Sequence, residues 1–559
     1  MVLRESMPLD VAAWKHTAKA SFDQRTGGTA IPLTEGQAWG DGKDRLWLQV
    51  NGAIPSDWTG RRIVLWIDTG TEALVYTDQG NILHGLTSGD FFTHTPWKMS
   101  RPVIDVTEHI QPGQPFTFWV EAACLAHPWE EYFNDPVPPS LSVAGFPHGQ
   151  LKHAQFGWLD ESAWHLHMDM EVLTSLAQSL PETSVRRARI LRALNLACDQ
   201  FGRNGSDLTA VRAILRPVLD APAHASAITV RATGHAHLDT AWLWTLSVAR
   251  EKAARTFSNQ LTLLDRYPEY VFGASSALHY QWIKEDHPDL YRRIKEYVKQ
   301  GRWEIQGAMW IEADTNMPSG ESLIRQFLYG IEFFREEFGV EPDLLWLPDV
   351  FGYTAALPQI MRICGVNSML TQKISWSQFN KFPHHTFIWE GIDGSDVLVH
   401  FPPEDNYCSS LDAGELMKAQ DRFAERDRLD TMLSLFGYGD GGGGPTPFHL
   451  ERARRLQNLE GAPKVEMGRA DTLFHALHKQ SDLLHRWTGE LYLELHRKTL
   501  TTQAFIKQAN RRMEERLTSL EMLWSMIPDR YPGEQIESLW KTLLTHQFHD
   551  ILPGSSVRE

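Results

Sequence analysis

From residue 228 onward, short apolar runs alternate with longer amphipathic stretches, and this rhythm constrains the fold more than any other feature. Ile228-Thr229-Val230, Val271-Phe272-Gly273, Trp303-Glu304-Ile305, Leu344-Leu345-Trp346-Leu347, Met369-Leu370, Val397-Leu398-Val399 and Leu433-Ser434-Leu435-Phe436 read as buried strands. Helical patterns fall between them, over about 246–266, 279–300 and 320–338. A strand followed by a crossover helix returns parallel to itself. Repeating that unit builds a parallel sheet clad in helices, either an open doubly wound sheet or a closed barrel. Roughly seven or eight such units favour the barrel.

The flanking regions have other textures. Over 28–125, the runs Trp47-Leu48-Gln49-Val50-Asn51, Arg62-Ile63-Val64-Leu65-Trp66-Ile67 and Phe116-Thr117-Phe118-Trp119-Val120-Glu121-Ala122 are broken by Gly, Pro and Asp, which predicts a β-sandwich. From about 160 to 218 the spacing turns helical, with Leu173, Leu176 and Leu180 on one face, and Pro217, Pro222 and the stretch 221–227 read as a linker. Two amphipathic helices close the chain, one carrying Ile506, Ala509, Met513, Leu517, Leu520 and Trp524, the other Ile536, Leu539, Trp540, Leu543 and Leu544. The expectation is a multidomain α/β protein: a β-rich domain over 1–158, a helical connector over 159–225, a barrel over 226–485 and a helical bundle over 486–559.

Composition excludes several roles. A net charge of −16 is unsuited to nucleic acid or anionic lipid. No apolar run reaches the length of a membrane span, and the start, Met1–Ser6, lacks a signal-peptide core. Cys124, Cys198, Cys364 and Cys408 lie too far apart for a metal knuckle or a disulfide framework. A cytoplasmic protein is expected, with oligomeric state open and a homo-oligomer among the possibilities. The 21 Trp residues belong first to the core, although sugars also pack their C–H faces on aromatic rings.

In parallel α/β folds the chemistry gathers where strands end. After the first run comes Gly234-His235-Ala236-His237-Leu238-Asp239, and residues two apart on extended chain point the same way, so His235, His237 and Asp239 share a face. Two imidazoles and a carboxylate at a strand end favour a metal site over a hydrogen-bonded polar loop. Asp349 interrupts the apolar run 345–351, where a carboxylate needs a partner, a metal or a helix end to cap. The loop Gly437-Tyr438-Gly439-Asp440-Gly441-Gly442-Gly443-Gly444-Pro445-Thr446 lacks the Lys-Ser/Thr of a phosphate loop, so its glycines point to a close backbone approach to ligand, with Asp440 at the edge, or to a plain turn. His549 and Asp550 sit at the end of the last helix and gain meaning only beside the other three sites.

Taken together, Gly234–Trp244, Trp346–Gly352, Tyr438–Thr446 and Gln547–Gly554 resemble the ordered motifs of the glycoside hydrolase family 38 α-mannosidases, in their cytosolic and bacterial branch. With the β-rich N-terminal region, the resemblance spans nearly the whole chain. It implies a seven-unit (β/α) barrel, a helical bundle and one divalent metal, usually zinc, although cobalt or manganese suits the same ligands. By resemblance His237, Asp239, Asp349 and His549 are the metal ligands and His235 is not. Asp349 is the nucleophile, Asp440 the acid/base, and Asp550 contacts sugar. Trp242, Trp346 and Tyr438 are candidate walls of the sugar pocket. The implied reaction is retaining hydrolysis of terminal α-mannosyl residues from oligosaccharides, with two carboxyl groups about 5–5.5 Å apart. Such proteins continue into further β-sandwich domains, so a chain ending at Glu559 is expected to be a fragment.

Two rivals remain. Amidohydrolases also carry His-x-His after a first barrel strand but need further His ligands, for which His384 and His385 are poorly placed. A sugar-binding scaffold without catalysis would have no use for Asp349.

Overall fold

The computed structural model describes residues 3–40, 44–87, 102–124, 149–205 and 207–557. The N-terminal strands form two large antiparallel sheets and one small pair, Ala38–Gly40 with Gly149–Gln150. The larger runs in the order Thr29–Ile31, Asp10–His16, Arg45–Ala53, Pro115–Ala123, Glu72–Thr77, Ile82–Thr87. The smaller runs Leu3–Pro8, His153–Leu159, Ile63–Asp68, Val103–Asp105. Alternation along Arg45–Ala53 explains the packing. Leu46, Leu48 and Val50 face the smaller sheet and join Ile63, Leu65 and Phe156 in one core.

Trp47 faces the other way. It meets Tyr76 at 5.3 Å and belongs, with Trp119, to the core of the next domain. The outer face of this sandwich is therefore buried against a neighbour. A buried ion triad pins that contact: Lys252 Nζ lies 2.8 Å from Glu72, and Arg255 donates to the same carboxylate at 2.8 Å. Both cations stand on the helix Leu246–Arg266.

Three helices follow the sandwich, Glu161–Ser179, Val185–Arg203 and Leu208–Leu219, each opened by an Asp or Ser that accepts a backbone N–H. The β/α region then begins with Thr229–His235. The sequence predicts one helix over 279–300, but Pro288 cannot continue it. The chain stops at Asp286 and restarts as Pro288–Lys299.

Among the described residues the strands do not close into a barrel. The strands make two open five-membered sheets. In one, Trp303–Ile305, Phe272–Ala274, Thr229–His235 and Thr431–Phe436 lie in order, with Lys464–Met467 also on Thr229–His235. In the other the order is Leu344–Trp346, Ser368–Leu370, Asp396–His400, Thr386–Glu390, Arg486–Thr488. Two physical reasons account for this. Several strands hold only three residues, which leaves few ladder bonds to carry a sheet further, although single bonds continue just beyond them, as from Gln306 N to Ala274 O and Leu347 N to Leu370 O. Further, Thr386–Glu390 pairs antiparallel with Asp396–His400, which breaks the parallel repeat.

At the end of the chain, Ala504–Ser525 and Gly533–His546 pair through Leu517, Ile536, Trp540 and Leu543. Of the expected stripe on the first of these helices, Leu517 is buried and Leu520 and Trp524 pack against the same cluster, whereas Met513 is exposed and Asn510 and Glu514 are buried instead.

Candidate active site

The site is assembled where loops leave the carboxyl ends of the strands. Beyond His235 the chain stays extended and zips onto the glycine-rich loop. Asp239 N donates to Asp440 O at 2.9 Å and Gly442 N to His237 O at 3.0 Å. The glycines serve close approach to the chain itself: a Cβ on Gly437 would lie 2.5 Å from the carbonyl oxygen of His235. Asp440 takes a left-handed backbone (φ +57°), a costly conformation for a residue with a Cβ and one that clusters at functional sites.

His237 Nε2 lies 3.0 Å from Asp239 Oδ1, as expected for residues sharing a face. His235 goes elsewhere. It is buried beside Trp346, whose Nε1 lies 3.5 Å from its Nε2, and burial lowers its pKa to about 3, so it is a neutral core group.

His549 follows the last helix, and Phe548 bridges to Ala313 while Asp314 N donates to Gln547 O at 2.9 Å. This zipper lays His549 over the segment around Glu312. His549 Nδ1 donates to the Glu312 carbonyl at 2.8 Å, so the bare Nε2 faces Asp239 Oδ1 at 3.3 Å and Asp349 Oδ2 at 3.7 Å. The Glu312 carboxylate supports the other imidazole, with Oε2 at 3.1 Å from His237 Nδ1.

One ligand atom from each of His237, Asp239, Asp349 and His549 lies within 4.8 Å of the others, and all four residues are buried. Two imidazoles and two carboxylates are a donor set for zinc or a similar divalent ion. The residues fit such an ion on a second ground: a lone pair aimed at two carboxylates is stable only with positive charge between them. Without an ion, that charge must be protons on the imidazoles. The pocket raises His549 to about 10, the hydrogen bonds to Asp239 and Asp349 outweighing burial, and the charges of Glu312 and Asp239 push His237 well above its ordinary value.

Asp349 does not cap a helix. The next helix starts at Leu357, and its carboxylate instead accepts from the Lys373 ammonium and, at 2.9 Å, from the Tyr407 hydroxyl. Lys373 and the two imidazoles hold Asp349 ionised far below the usual carboxylate range despite its burial. Tyr407 also lies 2.9 Å from Asp440 Oδ1. One phenol thus touches both carboxyl groups, and their nearest oxygens stand no more than about 6 Å apart. Burial, then the charges of Asp239 and Asp349, raise Asp440 to about 6. A single hydroxyl has one proton to give, so the shared contact is satisfied when one carboxyl is ionised and the other protonated.

The proposed sugar contacts divide. Asp550 is buried beside His549 and accepts from Ser555 Oγ at 2.5 Å. Trp242 and Tyr438 are partly exposed. Trp346 is fully buried in the core and cannot wall a pocket, a correction that follows from its ring packing 5.2 Å from that of His235 at the end of a short edge strand. His384 is paired with Glu425 at 3.2 Å, outside the metal-ligand group, so it adds no ligand of the amidohydrolase kind. Three working residues carried no sequence signal: Glu312 lies in an irregular segment, and Lys373 and Tyr407 lie in loops without a spacing pattern.

Loops at strand ends gather two carboxyl groups beside a cation-binding set, and comparison with known proteins places that arrangement in a family. Residues 227–490 match the glycosyl hydrolases family 38 N-terminal domain, 494–559 the alpha mannosidase middle domain, and 7–139 the alpha-mannosidase jelly roll domain. The chain belongs to glycosyl hydrolase family 38. It is 37% identical to alpha-mannosidase G of Dictyostelium discoideum over 94% of its length and 48% of that protein. It is 38% identical to human alpha-mannosidase 2C1 over 94% of its length and 50% of that protein. The chain thus spans about half the length of these curated relatives. A crystal structure of an alpha-mannosidase from Enterococcus faecalis V583 has a similar fold, with TM-score 0.51 and 20% identity over 59% of this chain and 39% of that one.

Proposed function

We propose that this chain carries the catalytic part of a metal-dependent, retaining α-mannosidase that removes terminal α-mannosyl residues from oligosaccharides. The observation that carries the reading is the Tyr407 hydroxyl, 2.9 Å from Asp349 and from Asp440 beside the His237–Asp239–Asp349–His549 group. That proximity suits retention, in which the carboxyl groups lie about 5–5.5 Å apart, and not inversion, which needs about 6.5–9.5 Å.

Asp349, kept ionised by Lys373, attacks the anomeric carbon as the glycosidic C–O bond breaks, and forms a mannosyl ester. Asp440, protonated at the start, gives its proton to the departing oxygen. Ionised, it then takes a proton from the water that attacks the ester and releases mannose with its configuration kept. Tyr407 holds the two carboxyl groups in register, and Asp550 is placed to hold a sugar hydroxyl. Trp242 and Tyr438 remain candidate walls. A divalent ion on the four ligands, zinc before cobalt or manganese, would supply positive charge for the sugar's hydroxyl groups. The domain division at about 158, 225 and 485 belongs to this reading, as does a cytoplasmic location.

The test is an assay of the zinc-loaded chain on an aryl α-mannoside and an aryl amide, with the product anomer followed by NMR. Release of α-mannose first is expected. Amide cleavage alone, or β-mannose as first product, refutes the reading.

A further inference from the structure

Asp349 presents its two oxygens to different neighbours. Oδ2 faces the imidazoles, 4.0 Å from His237 Nε2 and 3.7 Å from His549 Nε2. Oδ1 faces away from them, toward Lys373 and Tyr407. Tyr407 in turn meets Asp440, the proposed proton donor. The donor must stand beside the departing oxygen, so the departing sugar lies on the Tyr407 side and the cleaved mannose on the metal-ligand side.

The next ring on the Tyr407 side belongs to Trp376. Its plane is nearly parallel to that of Tyr407, at 18°, with centroids 6.4 Å apart. The indole is firmly held. Nε1 donates to the Asp405 carbonyl at 2.9 Å, and the Lys373 ammonium sits 3.8 Å from the ring centroid. Even so, 37% of the residue is exposed, whereas the neighbouring Lys373 and Tyr407 are buried. A large aromatic side chain, clamped at its edge and by a cation at its ring yet open to solvent at a catalytic mouth, is a flat apolar platform. The C–H face of a pyranose is its natural complement.

We infer that Trp376 is the platform for the sugar on the leaving side of the scissile bond, which makes it a specificity-determining residue for oligosaccharides over simple mannosides. The inference rests on the glycosidase reading above and adds the subsite to it. No sequence pattern singled out Trp376; it lies in the short turn Lys373–Trp376 after a three-residue strand.

The experiment compares two substrates of the same zinc-loaded chain. α-Mannosyl fluoride has a leaving group too small to reach Trp376. Among the α1,2-, α1,3- and α1,6-mannobioses, the one cleaved best has a full sugar there. Loss of the indole also disturbs Lys373, but that effect acts on Asp349 and so reaches both substrates alike. The ratio of kcat/KM for the mannobiose to kcat/KM for the fluoride isolates the platform. Trp376→Ala is expected to lower this ratio about tenfold, the scale of losing one stacked ring, with most of the change in KM for the mannobiose. Trp376→Phe, which keeps a ring, is expected to recover most of it. A ratio within twofold of wild type in Trp376→Ala, or the same loss in the Phe variant, overturns the platform. Failure of the wild-type chain to hydrolyse mannosyl fluoride overturns the glycosidase reading instead.

Discussion

Replacing Glu312 by Gln tests how the metal-ligand group is held. The Glu312 side chain is buried, with Oε2 3.1 Å from His237 Nδ1 and Oε1 accepting from Ser275 Oγ at 2.5 Å. Its backbone carbonyl separately holds His549 Nδ1 at 2.8 Å. Gln keeps the shape and the backbone contact and removes only the charge beside His237. A hydrogen bond to a charged group contributes about 1.5–3 kcal/mol and a neutral one about 0.5–1.5, so the change weakens His237 by about 1–1.5 kcal/mol. Because 1.4 kcal/mol is about a factor of ten, zinc affinity should fall roughly tenfold, at the low end of the range for groups that orient metal ligands. Competition with a fluorescent chelator at pH 7, with metal content measured after dialysis, reads this directly. Far-UV circular dichroism checks that the fold survives, and His384→Ala serves as a control, since His384 lies outside the ligand group. Zinc affinity within twofold of wild type in Glu312→Gln would refute the supporting role.

Asp349→Ala should abolish hydrolysis of every α-mannoside while the chain stays folded; normal turnover in that variant rules out Asp349 as nucleophile. Asp440 must be protonated for the first step, so kcat/KM is full below its pKa of about 6 and falls tenfold per pH unit above it. A bound cation, by offsetting the charges of Asp239 and Asp349, moves this alkaline limb lower. Asp440→Asn should flatten the limb and slow mannobiose cleavage about 10²–10⁴-fold, with mannosyl fluoride spared in the first step; an unchanged limb sinks the assignment. Glu72→Gln leaves Lys252 and Arg255 without their carboxylate at the sandwich interface, which should cost about 3–5 kcal/mol by urea unfolding. A loss under about 1 kcal/mol would mean the triad does not pin the two domains.

Much of the site was legible because strand geometry is local. Period-two alternation put His237 and Asp239 on one face, and they stand 3.0 Å apart. A carboxylate in an apolar run demanded a partner, and Asp349 has Lys373 and Tyr407. The same local rule misassigned Trp346: sequence reveals that an aromatic ring ends a strand but not whether water or a neighbouring sheet covers it. Whether the strands close into a barrel is not legible for a related reason. Hydrophobic rhythm counts strands, yet closure depends on hydrogen bonds between strands of three residues and on one antiparallel hairpin that interrupts the order.

What the chain determined by itself is which side chains each strand end offers: periodicity and the cost of burying charge act over a few residues and need no partner. What tertiary structure decided is who meets whom. Glu312 reaches both imidazoles because the final turn zips onto its segment, Tyr407 spans two carboxyl groups from a loop with no motif, and Trp376 stays uncovered beside them. These contacts join residues tens to hundreds of positions apart, and they form only when packing brings the loops together.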